Sequence, residues 1–211
     1  MAESFPRLTA RTRRFTLGEP RTPAIAPDGS HVLFLRSRYG TDPVTLLWAL
    51  DLDGGGERLV ADPERLLADR GDLPEAEKRR RERARESAAG IVGYACDHDV
   101  TVAAYALGGQ LFTTDVGTGA SAGLDTAPGV FDPRPGPDGG GLVAYVAGPV
   151  LRLVGAGQDR ADRELAGEPA ADVSWGSAEF VAAEEMGRSR GFWWAPDSSG
   201  LIVARVDNAP V

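Results

Sequence analysis

Cysteine is nearly absent from this chain: Cys96 is the only one in 211 residues, so no disulfide can form within it and a reducing compartment fits. Histidine is almost as scarce, with His31 and His98 alone. One thiol and two distant imidazoles offer no metal-ligand spacing, and neither a metal nor an organic cofactor is expected. No run approaches the roughly 20 apolar residues that span a bilayer. The opening MAESFPRLTARTRRF carries arginines but lacks the apolar stretch of about 7–15 residues that marks a secretory signal. A cytoplasmic location without membrane contact is the expectation. Positive charge is in deficit, 23 Lys and Arg against 31 Asp and Glu, and the net −8 argues against a general nucleic-acid binder. No strand-to-helix elbow that would present a nucleophile is expected either. His31 and His98 both fall at expected turns, which makes neither a good general base, and no nucleophile, base and orienting acid form a credible set. The chain is expected to bind and position, and not to hydrolyse.

Glycine and proline are what the chain has in plenty, 27 and 15 residues. They favour many short elements joined by turns. A turn-then-strand unit recurs in PAIAPDGSHVLFL, FDPRPGPDGGGLVAYVAG and GFWWAPDSSGLIVARVD, with a fainter copy in YACDHDVTVAAYAL. Proline fixes φ, aspartate bonds its own backbone and glycine supplies a positive φ. The apolar runs that follow, such as Val32 to Leu35 and Leu201 to Ala204, have strand length and β-branched content. TLLWALDLDGGGERLV and QLFTTDVGTGASAGL each read as strand, glycine turn and strand. GTGASAG and PDGGGL lack the lysine and helix of a phosphate loop and read as turns.

The fold expected is all-β: a partial β-propeller of about four blades of antiparallel four-stranded sheet, at about 40–50 residues each, with a β-sandwich as the rival. A closed ring of seven or eight blades needs about twice this length. LIVARVDNAPV stops directly after a strand, so residues 1–211 are expected to form an incomplete N-terminal propeller.

Two helices interrupt the strands. DLPEAEKRRRERARESAAG reads as an insertion at about 72–89, with Asp72 and Glu75 as a capping box, Pro74 in the first turn and Gly90 as the stop. It has no apolar stripe, only Ala76 and Ala84. Either it is a solvated, salt-bridged helix, or the stripe Lys78, Arg81 and Arg85 faces a cavity and binds carboxylates or carbonyls. The second helix, SAEFVAAEEM, is expected to start at Ser177 and end at Gly187. Glu184 and Glu185 then stand in its last turn, where the helix dipole disfavours acids by roughly 0.3–1 kcal/mol each. Arg188 and Arg190 can offset this locally. Alternatively the pair receives a ligand ammonium, whose N–H donors two carboxylates about 100° apart can share.

Those residues carry a resemblance. EFVAAEEMGRSRGFWWAPDSSGLIVARVD, with Glu184-Glu185, the step from Glu185 to Trp193 and the Trp193-Trp194 pair, resembles the double-glutamate segment of dipeptidyl peptidase IV-type serine exopeptidases, closest to their cytosolic and bacterial branch. RERARESAAGIVGYACD resembles that branch's arginine-rich helix and the strand after it. In that family a propeller, usually eight-bladed, sits over an α/β-hydrolase domain and the enzyme releases N-terminal dipeptides with proline or alanine second. The resemblance implies that Glu184 and Glu185 bind the substrate α-ammonium. It implies that an arginine holds a substrate carbonyl, with Arg85 favoured by register and Arg81 and Arg83 open. It further implies that the partners are peptide N-termini and a hydrolase domain absent here, and that full-length members often pair as homodimers. The reading from a different class is a non-enzymatic propeller module that binds a protein through its acidic face, or a degenerate fragment.

Overall fold

The computed structural model describes residues 4–68, 90–155, 161–170, 172–188 and 190–209, and all their side chains except those of Phe180 and Glu184. The expected arginine helix at about 72–89, with Arg81, Arg83 and Arg85, lies outside the described residues. Among the described residues no helix is long and apolar enough to cross a membrane. The chain divides into two compact units, Met1–Gly93 with Thr114–Ser121, and Tyr94–Thr113 with Ala122–Val211.

The first unit opens with helix α1 (Phe5–Arg11) and continues into strands β1 (Arg21–Ile25), β2 (His31–Ser37), β3 (Thr45–Asp51) and β4 (Gly56–Ala61), then helix α2 (Pro63–Ala68). The strands form one antiparallel meander in sequence order. Cross-strand pairs such as Leu33 with Ala49 and Leu35 with Leu47 are fully buried on one face. On the other, the Arg36 guanidinium lies 4.7 Å from the centroid of Trp48, stacking its charge on the indole.

Three further groups of strands follow. A second meander comprises β5 (Ala95–Cys96), β6 (Val102–Leu107), β7 (Gln110–Asp115) and β8 (Ser121–Gly123). A third comprises β9 (Val130–Pro135), β10 (Leu142–Ala147), β11 (Val150–Gly155) and β12 (Arg163–Ala166). The last group is β13 (Val173–Trp175), β14 (Phe192–Trp194), β15 (Leu201–Val203) and β16 (Arg205–Asp207), with helix α3 (Phe180–Glu185) between β13 and β14. The fold is all-β and propeller-like, as expected. Its fourth group differs from a four-stranded sheet: β14 pairs with β15, and β13 with β16.

The third meander shows how two faces are used. Side chains alternate across a strand. Val143 and Tyr145 of β10, with Val154 of β11, pack against Ala104 and Leu111 of the second meander. Ala144 and Val146, with Leu151 and Leu153, pack against Phe192, Trp194 and Leu201 of the fourth group. Burying each large apolar side chain stabilises the fold by about 1.5–3 kcal/mol. Tyr145 carries its hydroxyl into this core and donates it to Asp162 at 2.7 Å. Burial first, and that bond second, push the phenol up to about 12. Burial raises the Asp162 carboxyl, but hydrogen bonds from Arg152, Tyr145 and the Ala127 N–H outweigh it and hold the acid below its ordinary value.

One turn geometry recurs between the first two strands of each meander and between β14 and β15 of the fourth group. The N–H of Gly29 donates to the carbonyl of Ala26 at 2.9 Å, Val100 to Asp97 at 3.3 Å, Gly139 to Gly136 at 3.2 Å and Ser198 to Ala195 at 2.9 Å. All four donor residues have positive φ, between 58° and 73°. The faint Asp97-His98-Asp99 copy thus has the same backbone as the others. In three turns the middle aspartate, Asp28, Asp138 or Asp197, accepts the N–H two residues on. In the remaining one Asp97 is buried and accepts Thr101 N–H at 2.7 Å, Thr101 Oγ1–H at 2.5 Å and Val102 N–H at 2.8 Å. Successive turns touch: His98 N–H donates to the Pro137 carbonyl at 3.1 Å, and Asp138 N–H to Ser198 Oγ at 3.1 Å. Replacing Asp97 by Ala strands those donors and is expected to lower stability by about 2–4 kcal/mol in urea unfolding, far more than Asp28→Ala on its exposed turn.

Candidate functional site

The strand Leu201–Asp207 organises the region of the glutamate pair. Its first half, β15, pairs Leu201 with Trp194 and Val203 with Phe192. Its second half, β16, pairs Arg205 with Trp175 and Asp207 with Val173. Both partners run antiparallel to the same strand, so β13 and β14 are two halves of one edge, and the intervening chain is an excursion from its middle. Ala204 closes the excursion at its root: its N–H donates to Gly191 at 2.7 Å and its carbonyl accepts from Gly176 at 3.0 Å. One residue further out, Ser177 and Arg190 form an antiparallel bridge.

Helix α3 sits beyond that bridge. The sequence favours Ser177 as its cap, but the bridge to Arg190 keeps Ser177 extended, and the helix starts two residues later than such a cap would set it. Glu179 caps it instead, accepting Val181 N–H at 2.7 Å and Ala182 N–H at 2.5 Å. Ala182 is buried, while Val181, Ala183 and Glu185 are exposed. The expected stop is present: Gly187 takes φ +61°, and the Ala182 carbonyl accepts both Met186 N–H at 3.3 Å and Arg188 N–H at 2.9 Å.

Glu184 and Glu185 end the helix, as expected from sequence. Glu185 is exposed, and among the described residues no ion pair to it is formed by Arg188 or Arg190. The side chain of Glu184 lies outside the described residues. Trp194 packs into the core cluster with its Nε1–H donated to the Arg134 carbonyl at 3.1 Å, whereas Trp193 stays 40% exposed on the opposite face.

A cluster that sequence reasoning missed stands at the root of the excursion. Asp132 on β9 takes φ +46°, beside a register shift in the pairing with β10, and accepts from the Arg134 guanidinium at 2.5 Å. Arg190 lies close enough to feel both: burial first, then repulsion from Arg134, lowers its pKa, and Asp132 opposes the shift. Asp132 is thus ion-paired with Arg134, and Arg190 lies within electrostatic reach of both. No local pattern joins DPR at 132–134 to an arginine far along the chain; only the pairing of the strands brings them together.

The remaining titratable candidates are not poised for chemistry. The Cys96 thiol is pushed up to about 12, by burial and then by the adjacent Asp97 charge, so little of it is thiolate near neutrality. His31 follows the first turn, its Nδ1 2.8 Å from Ser30 Oγ, and His98 lies within the second. Arg85, Arg81 and Arg83, the carbonyl-binding candidates, lie outside the described residues.

Comparison with known proteins places this geometry. The family model described as the dipeptidyl peptidase IV (DPP IV) N-terminal region matches residues 107–211. The chain carries a dipeptidyl peptidase IV N-terminal region. Glu184 and Glu185 fall within the matched span, and the arginine segment before it does not. Among solved structures, the crystal structure of Porphyromonas gingivalis dipeptidyl peptidase 4 is similar over 100% of this chain, with a TM-score of 0.64 and 16% identity. The chain spans 28% of that one. At such identity the likeness concerns the fold.

Replacing Glu179 by Ala in this DPP IV region removes the cap of a six-residue helix and is expected to weaken it by about 1 kcal/mol. Hydrogen exchange at the Val181 and Ala182 amides then accelerates about fivefold. Cys96 is expected to react with Ellman's reagent at pH 8 about a hundredfold more slowly than an unperturbed thiol, since the fall in thiolate fraction outweighs the greater nucleophilicity of a basic thiolate.

Proposed function

We propose that this DPP IV region receives the N-terminus of a peptide and sets how far the peptide enters a dipeptide-releasing serine exopeptidase. The bond cleavage itself then belongs to an α/β-hydrolase domain outside this sequence. The observation that carries the reading is the exposed Glu185 of the Glu184-Glu185 pair, without a counter-ion among the described residues, on a helix whose root is closed by backbone bonds. A protonated α-amino group offers one positive charge and three donors, which suits acceptors that approach from different directions. The order of residues agrees with this: the pair lies inside the span matched by the family model. Arg85, or its neighbours Arg81 and Arg83, would hold the first carbonyl of the same peptide and orient it.

The test uses the full-length protein that contains this region, assayed with chromogenic dipeptides that have free or acylated amino groups. Glu184→Gln and Glu185→Gln are each expected to lower kcat/KM for free-amino substrates by about 10–150-fold, the equivalent of about 1.5–3 kcal/mol for a charge-assisted bond. The same parameter is expected to decline above about pH 8, where the substrate ammonium deprotonates. Equal turnover of acylated and free substrates by the parent protein sinks the reading and leaves a peptide- or protein-binding module in its place.

A further inference from the structure

We infer that Gly191, acting with Gly176 and Ala204, is the positioning element that fixes where the glutamate pair is held; this deepens the reading of peptide N-terminus recognition and rests on it. Residues Val173–Trp175 and Phe192–Trp194 lie along one partner strand, so the excursion between them leaves and re-enters the sheet at one point. At that point the backbones meet. A Cβ on Gly191 would lie 2.5 Å from the Gly176 carbonyl carbon and 2.5 Å from the Ser177 nitrogen. These are main-chain atoms that cannot rotate aside. Gly176 is constrained differently: its φ is +81°, and a Cβ there would come within 3.0 Å of Leu151 Cδ1 and 3.1 Å of Val146 Cγ2, both in the core cluster.

The root therefore behaves as a neck with two glycines in contact, cross-linked by both hydrogen bonds of Ala204 and extended by the bridge between Ser177 and Arg190. Trp175 N–H, immediately before it, is held by the Pro149 carbonyl at 2.8 Å. Of helix α3's described side chains only that of Ala182 is buried, and the neck fixes where the segment that carries the helix leaves and re-enters the sheet. An added methyl at position 191 must push the two backbones apart by roughly an ångström to reach an ordinary contact distance. A displacement of that size at a positioning group is enough to change a rate by about 100-fold.

In the full-length protein, Gly191→Ala is expected to raise KM for free-amino dipeptide substrates about 10- to 100-fold, with a smaller change in kcat. Its effect is expected to vanish, to within about twofold, in a Glu184→Gln, Glu185→Gln background, because a misplaced acceptor and a missing one are lost only once. Amide exchange at Gly176 and Ala204 should accelerate in Gly191→Ala, while Val143 to Val146 stay protected. A second variant removes residues 177–190 and joins Gly176 to Gly191. It is expected to fold with the same strand protection and to lose its preference for free over acylated amino groups.

The inference is overturned if Gly191→Ala costs as much without the glutamates as with them. It is also overturned if the exchange at Gly176 and Ala204 is unchanged, or if the shortened chain does not fold. A parent protein indifferent to acylation overturns the functional reading instead, and the exchange measurements still decide the neck.

Discussion

The feature on which the candidate site depends is a single strand paired along its length by two segments that are not contiguous in sequence. Leu201–Val203 holds Phe192–Trp194, and Arg205–Asp207 holds Val173–Trp175. A ladder imposes register on whatever joins it, because a slip by one residue would turn buried Phe192 outward and exposed Trp193 inward. The excursion inherits that register at both ends. Its helix is only six residues long, and a free peptide of that length would not hold a helical form in water. The sheet supplies the order that the segment lacks.

Charge is distributed around this frame with some asymmetry. Glu179 spends its carboxylate on the N-terminal amides of the helix, where an acid is favourable. Glu184 and Glu185 stand at the opposite end, where acids are disfavoured, and Arg190 lies within electrostatic reach of Asp132 and Arg134. A partly buried arginine beside another arginine and a strained aspartate is an expensive arrangement in isolation. Its position at the root of the excursion is consistent with strain being kept where geometry matters.

Much of the fold could be read from the sequence because its turn chemistry is local. Pro27-Asp28-Gly29 and Pro137-Asp138-Gly139 contain within themselves the fixed φ, the side-chain acceptor and the positive φ that the turn requires. The copy at Asp97 is fainter because its acceptor is the first residue and its positive-φ position is Val100, a residue that disfavours it. The glutamate helix is legible from its capping pattern, yet that pattern favours Ser177, a better N-cap type than the Glu179 that caps it. Strand pairing overrode that preference. The division of the last group into two pairs, and the meeting of Arg190 with Asp132 and Arg134, depend on contacts between residues far apart in the chain. No local pattern announces them.

The third meander has a consequence of its own. Along Leu142–Ala147, odd and even positions address different neighbours, Val143 and Tyr145 one side, Ala144 and Val146 the other. A substitution there is heard on one flank and largely silent on the other, so adjacent letters of the sequence report on separate interfaces. Such parity lets the two flanks accumulate change independently, and only a shift by one residue would make them compete for the same side chains.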